Sequence, residues 1–208
     1  MGNFIFYQNR KVKAKGANPK NIIDEKRLKN YFLGDDYDQL SLLDHLPKLH
    51  SPSSIPLLFY PGCGVDIFTP LIYLSKLFPK ISQAKLLFND LDNTLGLIKT
   101  CLDEVGITFS GQKNQLQFYW QGFLIELIFV RGDMLPILNN SPPFDIYFER
   151  ALRIYREKYP DYEQAVFTKI KPGGILISDS GYAHLPLHLL PAPASLSSYG
   201  QMIIGVKQ

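Results

Sequence analysis

The chain reads as an α/β protein: a doubly wound, mostly parallel sheet with helices on both faces and an antiparallel strand near the C-terminus. Three observations predict this. From residue 55 onward, short apolar runs alternate with segments of helical periodicity. The first run, "PLLFY", passes directly into the turn Gly62-Cys63-Gly64. And 208 residues, 46% hydrophobic and 20% charged, suit one medium domain with a short extension. Consecutive strands joined through helices pair in parallel by right-handed crossovers, which places the helices on the sheet faces.

The elements follow in order. Residues 1–54 form a basic, partly helical N-terminal extension, and residues 55–208 the α/β domain. Within the extension, Ile22, Ile23, Leu28, Tyr31 and Phe32, then Leu40, Leu42, Leu43 and Leu46, recur at helical spacing. "FLGDDYD" interrupts them, so two helices with a turn are expected, and "SPSSIP" is a linker. "PLLFY" is the first buried strand. "TPLIYLSKLF" is a helix with Pro70 near its start. "AKLLFND" is the second strand, and "NTLGLIKTCLDEVG" a helix that stops at Gly106. "NQLQFYWQGFLIELIFVRGD" is rich in aromatic and β-branched residues, and Gln121-Gly122 folds it into a hairpin. "FDIYFER" is a strand, "YPDYEQAVFTKI" a helix, "KPGGILISDS" a turn and a strand, and "SSYGQMIIGVKQ" the last strand. "HLPLHLLPAPAS" is poor helix material, so the helix usual at that point is short or missing.

Charge is unevenly spread. Residues 1–30 hold eight Lys/Arg against Asp24 and Glu25, while the remainder holds 14 Lys/Arg against 17 Asp/Glu. A basic head on a mildly acidic body is either a solvated terminus or a contact for an anionic partner such as RNA. Cys63 and Cys101 alone give no disulfide framework, which suits a reducing, cytoplasmic setting. No apolar run approaches the length of a membrane span. "MGNFIF" lacks the apolar stretch of a signal peptide, and Phe6 stands where a myristoylation signal has Ser or Thr.

In an open parallel sheet, ligands bind beyond the carboxyl ends of the strands. Glycines there can take positive φ and let a ligand lie on the main chain, and the following helix offers free N–H groups. Asp90 ends the second strand, Asp133 follows the third, and "IKPGG" precedes a later strand. With these four features in order, residues 55–180 and the final strand resemble the class I S-adenosylmethionine-dependent methyltransferases. The resemblance implies that Gly62, Cys63 and Gly64 floor the methionine moiety of S-adenosyl-L-methionine, and that Asp90, or Asp92, holds the ribose. It implies that Asp133, flanked by Gly132 and Met134, faces the adenine. Glu149, at the end of "FDIYFER", would then lie near the methyl group and the substrate. Taken singly, Asp90 or Asp92 also suits a helix cap, Asp133 a turn, and Glu149 with Arg150 a surface ion pair.

Two positions depart from the family pattern: Tyr60 replaces a common acidic residue, and Asp66 a small one. Asp66 would repel the cofactor carboxylate unless it turned away or bound the ammonium group. A dinucleotide fingerprint is absent, since Ile67 fills its third glycine position. "SPPF" at 141–144 enters its strand rather than leaving it and is a loop. His184 and His188 lack a third metal ligand, so no metal is expected. If a base is needed, Glu149 is the first candidate and Asp179 the second, and Tyr155, Tyr159, Tyr162 and Tyr182 could line an acceptor pocket. The expected function is methyl transfer to an unspecified acceptor (small molecule, protein or RNA); the alternative is a non-catalytic member of the fold acting as an interaction module.

Overall fold

The computed structural model describes residues 22–197 and 199–208. Among the described residues nine strands form one sheet: β1 Leu57–Pro61, β2 Gln83–Asp90, β3 Phe109–Ser110, β4 Gln115–Trp120, β5 Phe123–Arg131, β6 Phe144–Glu149, β7 Ile170–Ser178, β8 Leu187–Leu189 and β9 Ile203–Lys207. Their spatial order is β3-β4-β5-β2-β1-β6-β7-β9-β8. The five central strands β5, β2, β1, β6 and β7 are parallel. Chain order reverses at β1, which is where a doubly wound sheet opens its ligand crevice. The hairpin β4–β5 is antiparallel, with Trp120 opposite Phe123. Its two turn residues, Gln121 at φ 45° and Gly122 at φ 91°, have the positive φ that a tight hairpin requires. At the other side β9 runs antiparallel to both β7 and β8.

Helices α1 Glu25–Lys29, α2 Asp36–Gln39, α3 Phe68–Leu77, α4 Leu95–Glu104, α5 Met134–Asn140, α6 Arg153–Arg156 and α7 Tyr162–Lys169 cover both faces. Strand residues alternate between them. Leu58, Tyr60, Leu86, Phe88 and Phe148 pack with α3 and α4 on one side. Phe59, Tyr147 and Leu176 pack with α5 and α7 on the other. Leu28, Leu40, Leu43, Leu46 and Leu49 of the N-terminal extension join the first of these cores. Asp24 caps α1 by accepting the Arg27 N–H at 3.1 Å.

Several elements differ from the sequence reading. The two helical pieces of the extension stand either side of the expected turn, as α1 and α2, but the second runs on as a 3-10 stretch, Leu40–His45. The "KPGG" turn lies inside β7 as a bulge, where pairing jumps from Phe144–Ile170 to Ile146–Ile175. Lys171 of that bulge pairs with fully buried Asp145 at 3.0 Å, and Asp145 also accepts the Ser53 hydroxyl and the Leu57 N–H. The linker is thereby pinned to the base of the sheet. Helices α5 and α6 and strand β8 had no periodic signal, being short and, in α5, containing Pro136. No described helix is long and apolar enough to cross a membrane. The basic positions from Arg10 to Lys20, and Gly2 and Phe6, lie outside the described residues; Arg27 and Lys29 pair within the chain, with Asp24 and Asp38.

Candidate active site

The turn after β1 is held by the end of β2. Gly62 and Gly64 sit at φ 59° and 53°, in the left-handed region that favours glycine. Cys63 donates its N–H to the Asn89 carbonyl at 3.1 Å, and Gly64 donates its own to Asp90 Oδ2 at 2.8 Å. Asp90 Oδ1 accepts the Asp92 N–H at 3.0 Å, while the Asp92 residue itself is exposed. Asn89 ties β2 to β5 by donating from Nδ2 to the carbonyls of Val130 and Gly132, at 2.9 and 2.8 Å. Asp133 caps α5: its Oδ1 accepts the Leu135 N–H at 3.0 Å and the Tyr155 hydroxyl at 2.6 Å. Met134 is buried in the core beside Leu138. Cys63 is also buried, and burial, with Asp90 adding to it, pushes its thiol pKa up, so the cysteine packs as a neutral thiol.

A cavity of about 380 Å³ opens over the carboxyl ends of β1, β6 and β7, bounded by the Gly62–Asp66 turn, Arg150, Asp179 and the α1–α2 connection. Asp66 is oriented by three groups. Its Oδ1 accepts the Thr69 N–H at 3.1 Å in the first turn of α3, and its Oδ2 accepts the Tyr60 hydroxyl at 3.1 Å. Arg150 Nη1 lies 3.9 Å from the same oxygen. Tyr60 and Asp66, the two departures in sequence, therefore form one hydrogen-bonded pair. Arg150 donates to Thr69 Oγ1 at 3.1 Å, and its Nη2 stands 3.7 Å from Asp36. Burial opposes the charge on Arg150, but Asp66 and its neighbours outweigh it, and the guanidinium pKa is raised. Asp179 borders the cavity with Oδ2 engaged by the Ala151 N–H at 2.7 Å.

Glu149 occupies a different environment. It is 0% exposed, with Oε2 accepting the hydroxyls of Tyr147 and Tyr182 at 2.6 and 2.9 Å and Oε1 accepting that of Ser178 at 2.7 Å. Arg156 Nε is 3.1 Å from Oε1, an ion pair without hydrogen-bond alignment. Burial pushes the Glu149 pKa up to about 7, against the pull of Arg156 and the three hydroxyls. Arg156 also pairs with Glu163 and donates to Ser180. Of the two candidate bases, Asp179 borders the cavity, whereas Glu149 is sealed inside a tyrosine-lined network that includes Tyr162.

The segment from Ala151 to Arg156 lies across the strand ends. A Cβ placed on Gly62 would stand 2.6 Å from Leu152 Cδ1, so Leu152 rests on the bare backbone there; at Gly64 the same space is open. Tyr155 reaches Asp133 from this segment. Its hydroxyl pKa is raised by burial and by the bond to Asp133. Sequence reading passed over Arg150 as half of a surface pair, although its place directly after a buried strand end is the signal that could have found it. Leu152, Asn89, Asp36 and the contact of Tyr155 with Asp133 carried no signal, because each acts through a tertiary contact.

No family model and no curated protein matches the chain. Among solved structures, it is similar to TrmN from Thermus thermophilus, at 17% identity and a TM-score of 0.43, over 88% of this chain and 51% of that one. It is similar to the mitomycin 7-O-methyltransferase MmcR, at 13% identity and a TM-score of 0.38, over 68% of this chain and 34% of the other. It is similar also to Trm1 from Pyrococcus horikoshii in complex with S-adenosyl-L-methionine, at 10% identity and a TM-score of 0.40, over 69% and 35%. The chain thus spans about half the length of the first of these and about a third of the other two. The fold is read from this chain's own sheet, mostly parallel with an antiparallel C-terminal strand.

Proposed function

We propose that the chain is an S-adenosylmethionine-dependent methyltransferase whose donor has its amino-acid end in the cavity over β1, β6 and β7 and its adenosine directed toward the carboxyl ends of β2 and β5. The observation that carries the reading is the charge pattern of the 380 Å³ cavity at the Gly62–Gly64 turn. One under-bonded guanidinium, Arg150, faces the carboxylates of Asp66 and Asp36 at 3.9 and 3.7 Å, with Asp179 at the border. An amino-acid end needs a cation for its carboxylate and an anion for its ammonium; Arg150 and Asp66 supply both, with Gly64 leaving room above the main chain. In this arrangement Asp66 binds the ammonium group. Asp90 and Asp133 stand at the ends of β2 and β5, where ribose hydroxyls and an adenine amino group could be held.

Bound, the donor supplies a methyl carbon made electrophilic by its sulfonium. The residues of the chain contribute orientation and the exclusion of water, which is most of what an in-line displacement asks of a protein. Tyr60 and Phe68 wall the cavity, and Asp179 is the candidate base that borders it.

A second reading, a non-catalytic interaction module, is favoured by Leu152 on Gly62 and Tyr155 on Asp133, which cover the adenosine side. The two readings part on one experiment: calorimetric titration with S-adenosylmethionine, S-adenosylhomocysteine and NAD. Methyl transfer requires binding of both sulfur compounds, weakened at least about tenfold by Arg150→Gln. Absence of heat with either at about millimolar concentration, a Kd range worth only about 4 kcal/mol, would leave the interaction module.

A further inference from the structure

We infer that the mouth of this cavity, beneath the α1–α2 connection, is a binding site for a small amine carried on an apolar or aromatic body. Two independent features of the cavity point to it. The first is an apolar collar. Leu33 is 84% exposed, Tyr199 53%, Val65 42% and Tyr31 37%, and these four come from three separate stretches of chain to border one opening. Large apolar side chains left in water around a single concavity mark a surface made to be covered. Tyr31 is held against Phe68, with ring centroids 5.0 Å apart, and its hydroxyl donates to Glu104 at 2.5 Å, so its ring is fixed at the opening.

The second feature is charge. Asp36, Asp66 and Asp179 border the cavity against Arg150 alone. Asp66 and Asp179 already accept hydrogen bonds from Tyr60, Thr69 and Ala151. Asp36, at the start of α2, differs: among the described residues no group donates a hydrogen bond to its carboxylate, and its one cationic neighbour stays at 3.7 Å. A partly exposed carboxylate beside aromatic faces attracts an organic cation through both the charge and the ring quadrupoles. With Arg150 as the single cation at the cavity, any further anion would meet the excess of carboxylates, and a neutral apolar ligand would leave Asp36 desolvated without a partner. At 380 Å³ the cavity is near the lower end of the usual range of about 300–1,000 Å³, so the body is small.

That this amine is the methyl acceptor rests on the function proposed above; that it binds does not. The test is titration of the full chain with benzylamine and with benzyl alcohol, its uncharged counterpart, each alone and with saturating S-adenosylhomocysteine, followed by calorimetry or by ligand-detected NMR. Benzylamine should bind at least about tenfold more tightly than the alcohol. Asp36→Asn should remove that preference, and Leu33→Ser should weaken both ligands. Equal affinities, a preference unchanged in Asp36→Asn, or failure of benzylamine to bind would overturn the inference. So would displacement of benzylamine by S-adenosylhomocysteine, since the amine would then occupy the donor's own site. If benzylamine binds and S-adenosylhomocysteine does not, the amine site stands and the methyl-donor reading falls. The reverse result removes the amine site alone.

Discussion

Replacing Glu149 by glutamine should change how stability depends on pH. In the folded chain the Glu149 pKa is raised from its ordinary 4.5 to about 7, chiefly by burial. A carboxyl raised in this way binds its proton more tightly folded than unfolded. Stability is therefore greatest below the unfolded value of 4.5 and is lost as pH rises through about 7. At about 1.4 kcal/mol per pH unit, the gap is worth about 3 kcal/mol, most of which falls between about pH 5 and pH 8. Glutamine keeps an acceptor for Tyr147 and Tyr182 but does not titrate. It also leaves Arg156 with Glu163 as its acidic partner, a cost that is the same at both pH values because the guanidinium stays charged throughout. The assay is urea unfolding of both proteins at about pH 5 and pH 8. The wild type should lose more stability across that interval than Glu149→Gln, by about 2–3 kcal/mol, since the pull of Arg156 is already contained in the Glu149 value. A wild type that gains stability relative to the variant as pH rises would refute the account and identify Glu149 as a net stabilising anion.

Other substitutions test other parts of the molecule. Gly181 has φ 77°, and a Cβ there would run into the guanidinium of Arg156 and the carboxylate of Glu163; Gly181→Ala should cost at least about 2 kcal/mol in denaturant unfolding. Asp145→Ala leaves the ammonium of Lys171 and the Leu57 N–H without their shared acceptor at the base of the sheet and should cost about 3 kcal/mol. Under the proposed function, Tyr155→Phe releases Asp133 from its 2.6 Å contact and should strengthen S-adenosylhomocysteine binding about threefold, read by calorimetry. An equal or weaker affinity would show that Tyr155 does not compete with the ligand.

The architecture was legible because alternation of apolar runs with helical periods is set locally. "PLLFY", "LLFND" and "FDIYF" could only be buried strands, and Gln121-Gly122 announced its hairpin. The shorter pieces were not legible. Helix α6 has four residues and β8 three, too few for any period to show, and the bulge in β7 depends on Asp145 drawing Lys171 toward the sheet. The candidate site was readable as a set of positions but not as a set of bonds. The carboxylates of Asp90 and Asp133 sit at their strand ends, yet their engagement by Gly64 and Tyr155 follows from packing between segments distant in sequence. The same holds for Asp66, whose place beside Tyr60 turns two separate oddities of sequence into one pair.

Both rims of the sheet are minimal: β3 has two residues and β8 three. A long outer strand would offer another chain a row of unpaired amides and carbonyls to extend the ladder. Among the described residues the outermost strands β3 and β8 themselves offer another copy only a few backbone groups to pair with. Growth into fibres by addition of strands to β3 or β8 is thereby disfavoured, because so short a ladder contributes few hydrogen bonds per added copy.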